Sequence, residues 1–173
     1  MKRFTGFIAF LAVIFIIIFL LCLLLPSRVT VSKSVEIDAT GEAVREQITR
    51  FDHWKHWYPA FQDETAAVTQ NASAPGILWS VTLGDPQGKK VTLQLTDTSQ
   101  NMIDVRLLTG SSAKVSYQFI LIPKTNHRTQ LTWNINTDLG WYPWRRIRGL
   151  FLDKFSGDRY EAALHELKTA AEN

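Results

Sequence analysis

Cysteine is almost missing from this chain. Cys22 is the one cysteine in 173 residues, and it lies inside an uncharged stretch. The remainder therefore has no disulfide framework, no cysteine zinc site and no thiol nucleophile. A domain without such staples is held by its core, and the roughly 145 residues after that stretch can bury one. A dominant charge sign is missing as well. The formal charge is +3 and the pI about 9.1. Lys2, Arg3 and Arg28 belong to the uncharged stretch and its flanks, which leaves 16 basic residues against 16 acidic ones from Val29 onward. A neutral domain carries no electrostatic footprint for nucleic acid, and no nucleic-acid partner is expected. Nucleophile-elbow chemistry is absent too: there is no G-x-S-x-G and no His–Asp pair at a telling spacing.

What the sequence does have is one long apolar run. Phe4–Leu25 (FTGFIAFLAVIFIIIFLLCLLL) holds 22 residues without a charge or an amide side chain. At about 1.5 Å per residue a helix of that length reaches roughly 33 Å, enough for a bilayer core of about 30 Å. A cleaved signal peptide is the rival reading, but its apolar region is usually about 7–15 residues and ends at a small-residue site. Here the run is longer and ends in LLLPSR, and the residues before Cys22 are too bulky for a lipidation site. Residues 1–28 thus read as an uncleaved anchor with a short linker, and residues 29–173 as the domain. Lys2, Arg3 and the terminal amine precede the run, whereas Arg28 and Lys33 follow it. The positive-inside rule then sets the N-terminus inside by a small margin. The expectation is a single-pass protein of a bacterial inner membrane, with its domain outside the cytoplasm and the lipid bilayer as its partner.

From Val29 the period is two: Val29, Val31, Val35 and Ile37 share one face of a strand, interrupted by Lys33. TGEAVREQITRF changes period, with Val44, Ile48 and Phe51 at i, i+4, i+7 and Thr40 as N-cap of a helix. The stretch FDHWKHWYPAF follows. Beyond it come TAAVTQ, ILWSVTL, KVTLQLTDT, MIDVRLL, AKVSYQFILI and RTQLTWNINTD, divided by NASAPG, GDPQGK, SQN, TGSS and PKTNH. Short turns of this chemistry join antiparallel neighbours. Trp79, Val81, Leu93, Leu95, Val105, Leu107, Val115, Tyr117, Phe119, Leu131, Trp133 and Ile135 share a parity, so the meander has one greasy face. Trp144–Glu172 reads as helix with two stripes, Ile147/Phe151/Phe155 and Tyr160/Ala163/Leu164/Leu167. These cannot both face one flat sheet, and a kink or break is expected at Ser156-Gly157, where a mid-helix Gly costs about 1 kcal/mol.

VSKSVEIDATGEAVREQITRFDHWKHWYPAF and WRRIRGLFLDKFSGDRYEAALHELK, in this order around the meander, resemble the START-like (SRPBCC) superfamily in its polyketide cyclase/dehydrase and lipid-transport branch. The similarity covers about Val29 to Glu172 and extends to membrane-anchored members. It implies an α+β helix-grip domain, a curved antiparallel sheet wrapped round a long C-terminal helix, with an apolar cavity between them. It carries over no shared catalytic residue.

On this reading Trp57, Trp79, Tyr117, Trp133, Phe151 and Phe155 are the candidate cavity lining, with Lys33 as a polar group that either snorkels out or meets an acidic ligand. Each ring also suits plain core packing, since an aromatic side chain buries about 150–250 Å². His53 and His56, with Asp52, Asp63 and Glu64 nearby, do not make a zinc site; neither metal nor cofactor is expected. Trp141, Trp144, Arg145, Arg146 and Arg148 combine rings and cations in the way that suits a membrane–water interface, and they form the expected membrane-facing cluster. Three arginines in a first helical turn would also oppose the helix dipole. The expected function is a membrane-anchored binding module for an apolar or amphipathic small molecule such as a lipid. The alternatives are a cyclase/dehydratase-like enzyme, with Lys33 and Tyr117 as its only inward ionisable groups, and an interaction scaffold with a filled core.

Overall fold

In the computed structural model, residues 2–61, 67–71, 75–84, 90–99, 101–109 and 112–173 are described. Helix α1 (Lys2–Leu23) leads into β1 (Arg28–Ile37). Then come α2 (Gly41–Thr49), the short α3 (Trp54–Trp57), and strands β2 (Ala67–Asn71), β3 (Trp79–Gly84), β4 (Lys90–Thr98), β5 (Met102–Thr109), β6 (Ser112–Pro123) and β7 (Thr129–Asp138). Helices α4 (Pro143–Gly149) and α5 (Leu152–Glu172) complete the order. The strands form one antiparallel sheet in the order β1-β7-β6-β5-β4-β3-β2. Strands β2 to β7 are a meander, and β1 closes onto β7 from the register Arg28↔Asp138 to Ile37↔Thr129.

Alternation decides which face is buried. Val81, Leu93, Leu95, Val105, Phe119, Leu131, Trp133 and Ile135 are buried on the inner face. The outer face carries hydroxyl and amide ladders across β1 and β7: Thr30 to Asn136 (2.6 Å), Ser32 to Asn134 (2.7 Å) and Ser34 with Thr132 (2.9 Å). Helix α2 starts where the sequence places its cap, with the Thr40 hydroxyl accepting from the Ala43 N–H at 3.3 Å, and it buries Val44 and Ile48. The β6–β7 turn is held by Lys124 N–H to Arg128 C=O at 2.8 Å, with Asn126 and His127 both at positive φ. The turn segments 72–74, 85–89 and 110–111, and with them the candidate ligands Asp63 and Glu64, lie outside the described residues.

Helix α5 lies along β1 and runs the same way. Lys33 meets Asp153 (3.4 Å) and Glu161 (3.8 Å) near its start. Near its end Lys168 donates to Glu36 C=O (2.8 Å) and Glu172 accepts from the Asp38 N–H (2.8 Å). Gly157, Ala163, Leu164 and Leu167 are the buried face. A break at Ser156-Gly157 is not there: α5 is continuous through it, and the helix instead breaks at Leu150-Phe151. Gly157 has a packing reason. A Cβ on it would stand 2.8 Å from Asp153 Oδ1 and 3.2 Å from Lys33 Nζ, so glycine leaves room for that ion pair against α5. The two stripes are reconciled by leaving Ile147, Phe151 and Phe155 exposed.

β1 starts at Arg28, so only residues 24–27 join α1 to the sheet. Among the described residues no helix is long and apolar enough to cross a membrane; within α1 the described side chains are Phe10 and those from Val13 onward.

Candidate functional site

FDHWKHWYPAF turns out to close the C-terminal end of α2. The last carbonyls of a helix lack intrahelical donors. Here Glu46 C=O takes the Arg50 N–H at 3.0 Å, and three indoles take the rest. Trp57 donates to Gln47 C=O (3.2 Å), Trp54 to Ile48 C=O (2.8 Å) and Trp79 to Thr49 C=O (2.6 Å). Trp54 and Trp57 are fully buried and Trp79 half-buried. Their rings continue into the sheet: Trp57 meets Phe119 at 6.2 Å and Trp133 at 6.0 Å, both edge-on. Trp57 and Trp79 are thus structural caps whose ring faces form the back of the aromatic layer.

In front of that layer, between the sheet and α5, lies a cleft of about 550 Å³ lined by Tyr58, Pro59, Tyr117, Trp133, Ser156, Arg159, Tyr160, Ala162 and Ala163. Trp133 is its centre, stacked on Phe119 (5.1 Å, 22°) with the rings of Tyr117 and Tyr160 edge-on, both at 5.2 Å. The Trp133 Nε1–H is buried and has no hydrogen-bond partner, unlike the three capping indoles. Beside it the Tyr58 and Tyr117 hydroxyls share a buried bond of 2.8 Å. Burial raises the Tyr58 phenol to about 12, although its hydrogen bond with Tyr117 pulls the other way. Burial likewise holds Tyr117 well above its ordinary value, and the neighbouring Tyr58 raises it further. Burial also raises Tyr160, against the pull of Arg159. The cleft is therefore mainly apolar and aromatic, with hydroxyls, one unsatisfied donor and the Arg159 guanidinium as its one charged group.

Of the predicted lining, Tyr117 and Trp133 face this cleft, while Tyr58, Tyr160 and Arg159 join them without having been singled out. Tyr58 was legible as one ring among many, and Arg159 had no signal beyond its helix. Lys33 lines no part of this cleft; its acidic partners are Asp153 and Glu161 on α5. Phe155 and Phe151 are exposed, at 75% and 49%. Phe155 lines a second, wider groove of about 670 Å³ with Leu139, Arg145, Arg148, Gly149 and Leu152. Phe151 is not part of it. Ser156 borders both openings.

Of the aromatic–arginine segment, Arg145 and Arg148 line that groove. Trp141 and Trp144 are exposed at 61% and 59% and flank Tyr142 at 4.5 and 5.0 Å, with the Arg145 guanidinium 4.9 Å above the Tyr142 ring. The three arginines do not behave alike. Arg146 turns inward, donating to Gly140 C=O and to the carbonyls of Leu23 and Leu25 at the end of α1. Arg146 and Arg148 also fall in the last turn of the short α4, where cations suit the dipole. The expected misplacement is confined to Arg145.

His53 and His56 border a shallow opening of about 430 Å³ with Gln47, Glu166, Thr169 and Asn173, and His53 Nδ1 is buried without a partner. Among the described residues no group of three or more His, Cys, Asp or Glu could hold a metal ion.

Residues 28–172 match the family model described as polyketide cyclase / dehydrase and lipid transport. The chain belongs to this family. No curated protein matches the chain. Solved structures of the same fold include the Zhui aromatase/cyclase from Streptomyces sp. R1128, 16% identical with a TM-score of 0.60 over 84% of this chain and 94% of that one. A START superfamily protein from Mycobacterium smegmatis is 19% identical, TM-score 0.61, over 83% and 97%. The di-domain aromatase/cyclase StfQ of the steffimycin biosynthetic pathway is 12% identical, TM-score 0.60, over 84% of this chain and 51% of its own. At such identities the likeness concerns the fold, and the α+β helix-grip architecture is common to family and chain.

Proposed function

We propose that the protein is a membrane-anchored binding module that holds an apolar or amphipathic small molecule in the aromatic cleft between the sheet and α5. The observation that carries this reading is the cleft's lining. A volume of about 550 Å³ lies within the usual range for small-ligand sites, roughly 300–1,000 Å³ of mostly apolar wall with few polar groups. Its buried polar groups are the Trp133 N–H without a partner and the Tyr58–Tyr117 pair, with Ser156, Arg159 and Tyr160 contributed by α5. An unpaired buried donor costs about 1–3 kcal/mol, which a ligand oxygen would recover.

The second reading, a cyclase-like enzyme, is favoured by the buried phenol pair alone. Both phenols stay protonated at neutral pH, so they can donate hydrogen bonds but offer no base, and Lys33 is engaged elsewhere. Binding therefore accounts for the cleft better than turnover does.

The anchor is assigned to Phe4–Leu25, with the N-terminus inside and the domain outside the cytoplasm, as in a single-pass bacterial inner-membrane protein. It is supported by the uncharged run and by the exposed Phe15, Leu20 and Leu24 side chains of α1 and its exit. Native mass spectrometry of the full chain released from mild detergent should show a bound small molecule. Ala163→Trp, which fills the cleft from α5, should lose it. A chain that carries no ligand and takes up no lipid dye in either form would refute the binding reading. Alkaline phosphatase fused after Asn173 should be active in a bacterial host; an inactive fusion beside a fluorescent cytoplasmic one would reverse the orientation.

A further inference from the structure

Helix α4 packs against α1. The contact lies at the exit of the apolar helix. Cys22 is buried there at 8%, while Phe15, Leu20 and Leu24 remain exposed. Arg146 on α4 donates to the Leu23 and Leu25 carbonyls, which terminate α1 and have no helical donors of their own. The chain beyond α1 is tied to the same place, since Ser27 C=O accepts the Leu139 N–H at 2.9 Å. Gly149 allows the close fit on the domain side: a Cβ there would overlap Leu139 Cδ1 and stand 3.2 Å from Val29 Cγ2.

These bonds set a depth. If α1 spans the bilayer from Phe4 to Leu25, its last turn ends at the headgroups, and an element fastened to the Leu23 and Leu25 carbonyls shares that level. The large apolar side chains that α4 and the start of α5 leave exposed are Trp144, Ile147, Leu150, Phe151 and Phe155, with Trp141 just before; Asp153 and Lys154 are exposed beside them. Arg145 and Arg148 stand among them on the rim of the 670 Å³ groove. Rings and aliphatics with interspersed arginines match a leaflet boundary that carries anionic headgroups.

We infer that α4 and the first turn of α5 form an interfacial lip, held by Arg146 at headgroup depth in the leaflet that α1 leaves, so that the groove opens onto anionic lipid. The inference rests on the anchor proposed above, and it is independent of what the aromatic cleft binds. Arg146 is a positioning residue here; the exposed rings make the contact.

Spin labels on the full chain test it, in nanodiscs of phosphatidylglycerol or of phosphatidylcholine, on a Cys22→Ser background. Labels go at Phe15→Cys (inside α1), Ile147→Cys and Phe155→Cys (the lip) and Lys124→Cys (the β6–β7 turn, at the other end of the sheet). Accessibility to oxygen reports lipid, and accessibility to a water-soluble nickel chelate reports solvent. The expected result is lipid exposure at Phe15, Ile147 and Phe155 and solvent exposure at Lys124. Phosphatidylglycerol should deepen the two lip labels, and Arg145→Gln/Arg148→Gln should erase that difference. Arg146→Ala should raise nickel accessibility at Ile147 several-fold, while Arg146→Lys keeps the native pattern; unchanged Lys124 line shape shows that each variant is folded. Solvent exposure at Ile147 and Phe155 with lipid exposure at Phe15 overturns the lip and leaves the anchor standing. Solvent exposure at all four positions overturns both.

Discussion

Four tryptophans on or behind the inner face look alike in sequence and do different work. Trp54, Trp57 and Trp79 each spend their N–H on a carbonyl at the end of α2, and Trp133 spends its own on nothing. Replacing Trp57 by Phe should therefore lower stability by about 1–3 kcal/mol, since it strands the Gln47 carbonyl as well as removing ring volume. Trp133→Phe loses ring volume but strands no partner, and it should cost less than Trp57→Phe in the same urea titration. A larger loss at Trp133 would mean that its N–H is already engaged in the resting protein. The phenols supply a pH signature. Tyr58 ionises near 10 when unfolded and at about 12 when folded, so the folded state holds its proton more tightly. That contribution is intact below pH 10 and is lost as pH rises towards 12, on the order of 2–3 kcal/mol. Urea midpoints should fall over that window in wild type and fall less in Tyr58→Phe/Tyr117→Phe; equal slopes would show that the pair is not buried in solution.

At the scale of elements, the alternation of apolar residues was enough to find the meander, the N-cap Thr40 and the buried face of β1. The end of α2 was not legible, because its donors are indoles from two other segments. The helix break was misread for a similar reason. A glycine costs helical propensity wherever it stands, but Gly157 sits where the Lys33–Asp153 pair needs the space, and the chain turns instead at Leu150-Phe151, directly after Gly149. Gly149 makes the opposite case. Because Leu139 and Val29 occupy the volume a methyl would need, Gly149→Ala should be destabilising by about 1–3 kcal/mol despite the better helix propensity of alanine. Thermal unfolding of the full chain in detergent reads this directly, and a stabilised variant would show that α4 can shift off the strand without loss.

For the whole molecule, local patterning determined a great deal: an apolar run of 22 residues, a neutral domain free of cysteine, seven strands among the described residues, and a long closing helix. These features depend on neighbours a few residues apart, so periodicity and turn chemistry suffice to reveal them. Tyr117 and Trp133 could be placed on the inner face by the same means. Which inner-face ring borders empty space could not be, because a cleft is what remains after β6, β7, α3 and α5 have packed. Lys33 shows the limit most clearly. Its parity correctly pointed it inward, yet its partners Asp153 and Glu161 lie more than a hundred residues along the chain, and only the parallel course of α5 over β1 brings them together. The same holds for Arg146 and the carbonyls that end α1. Composition could mark an aromatic, basic segment, but long-range hydrogen bonding alone decided that one arginine of the three faces the helix exit.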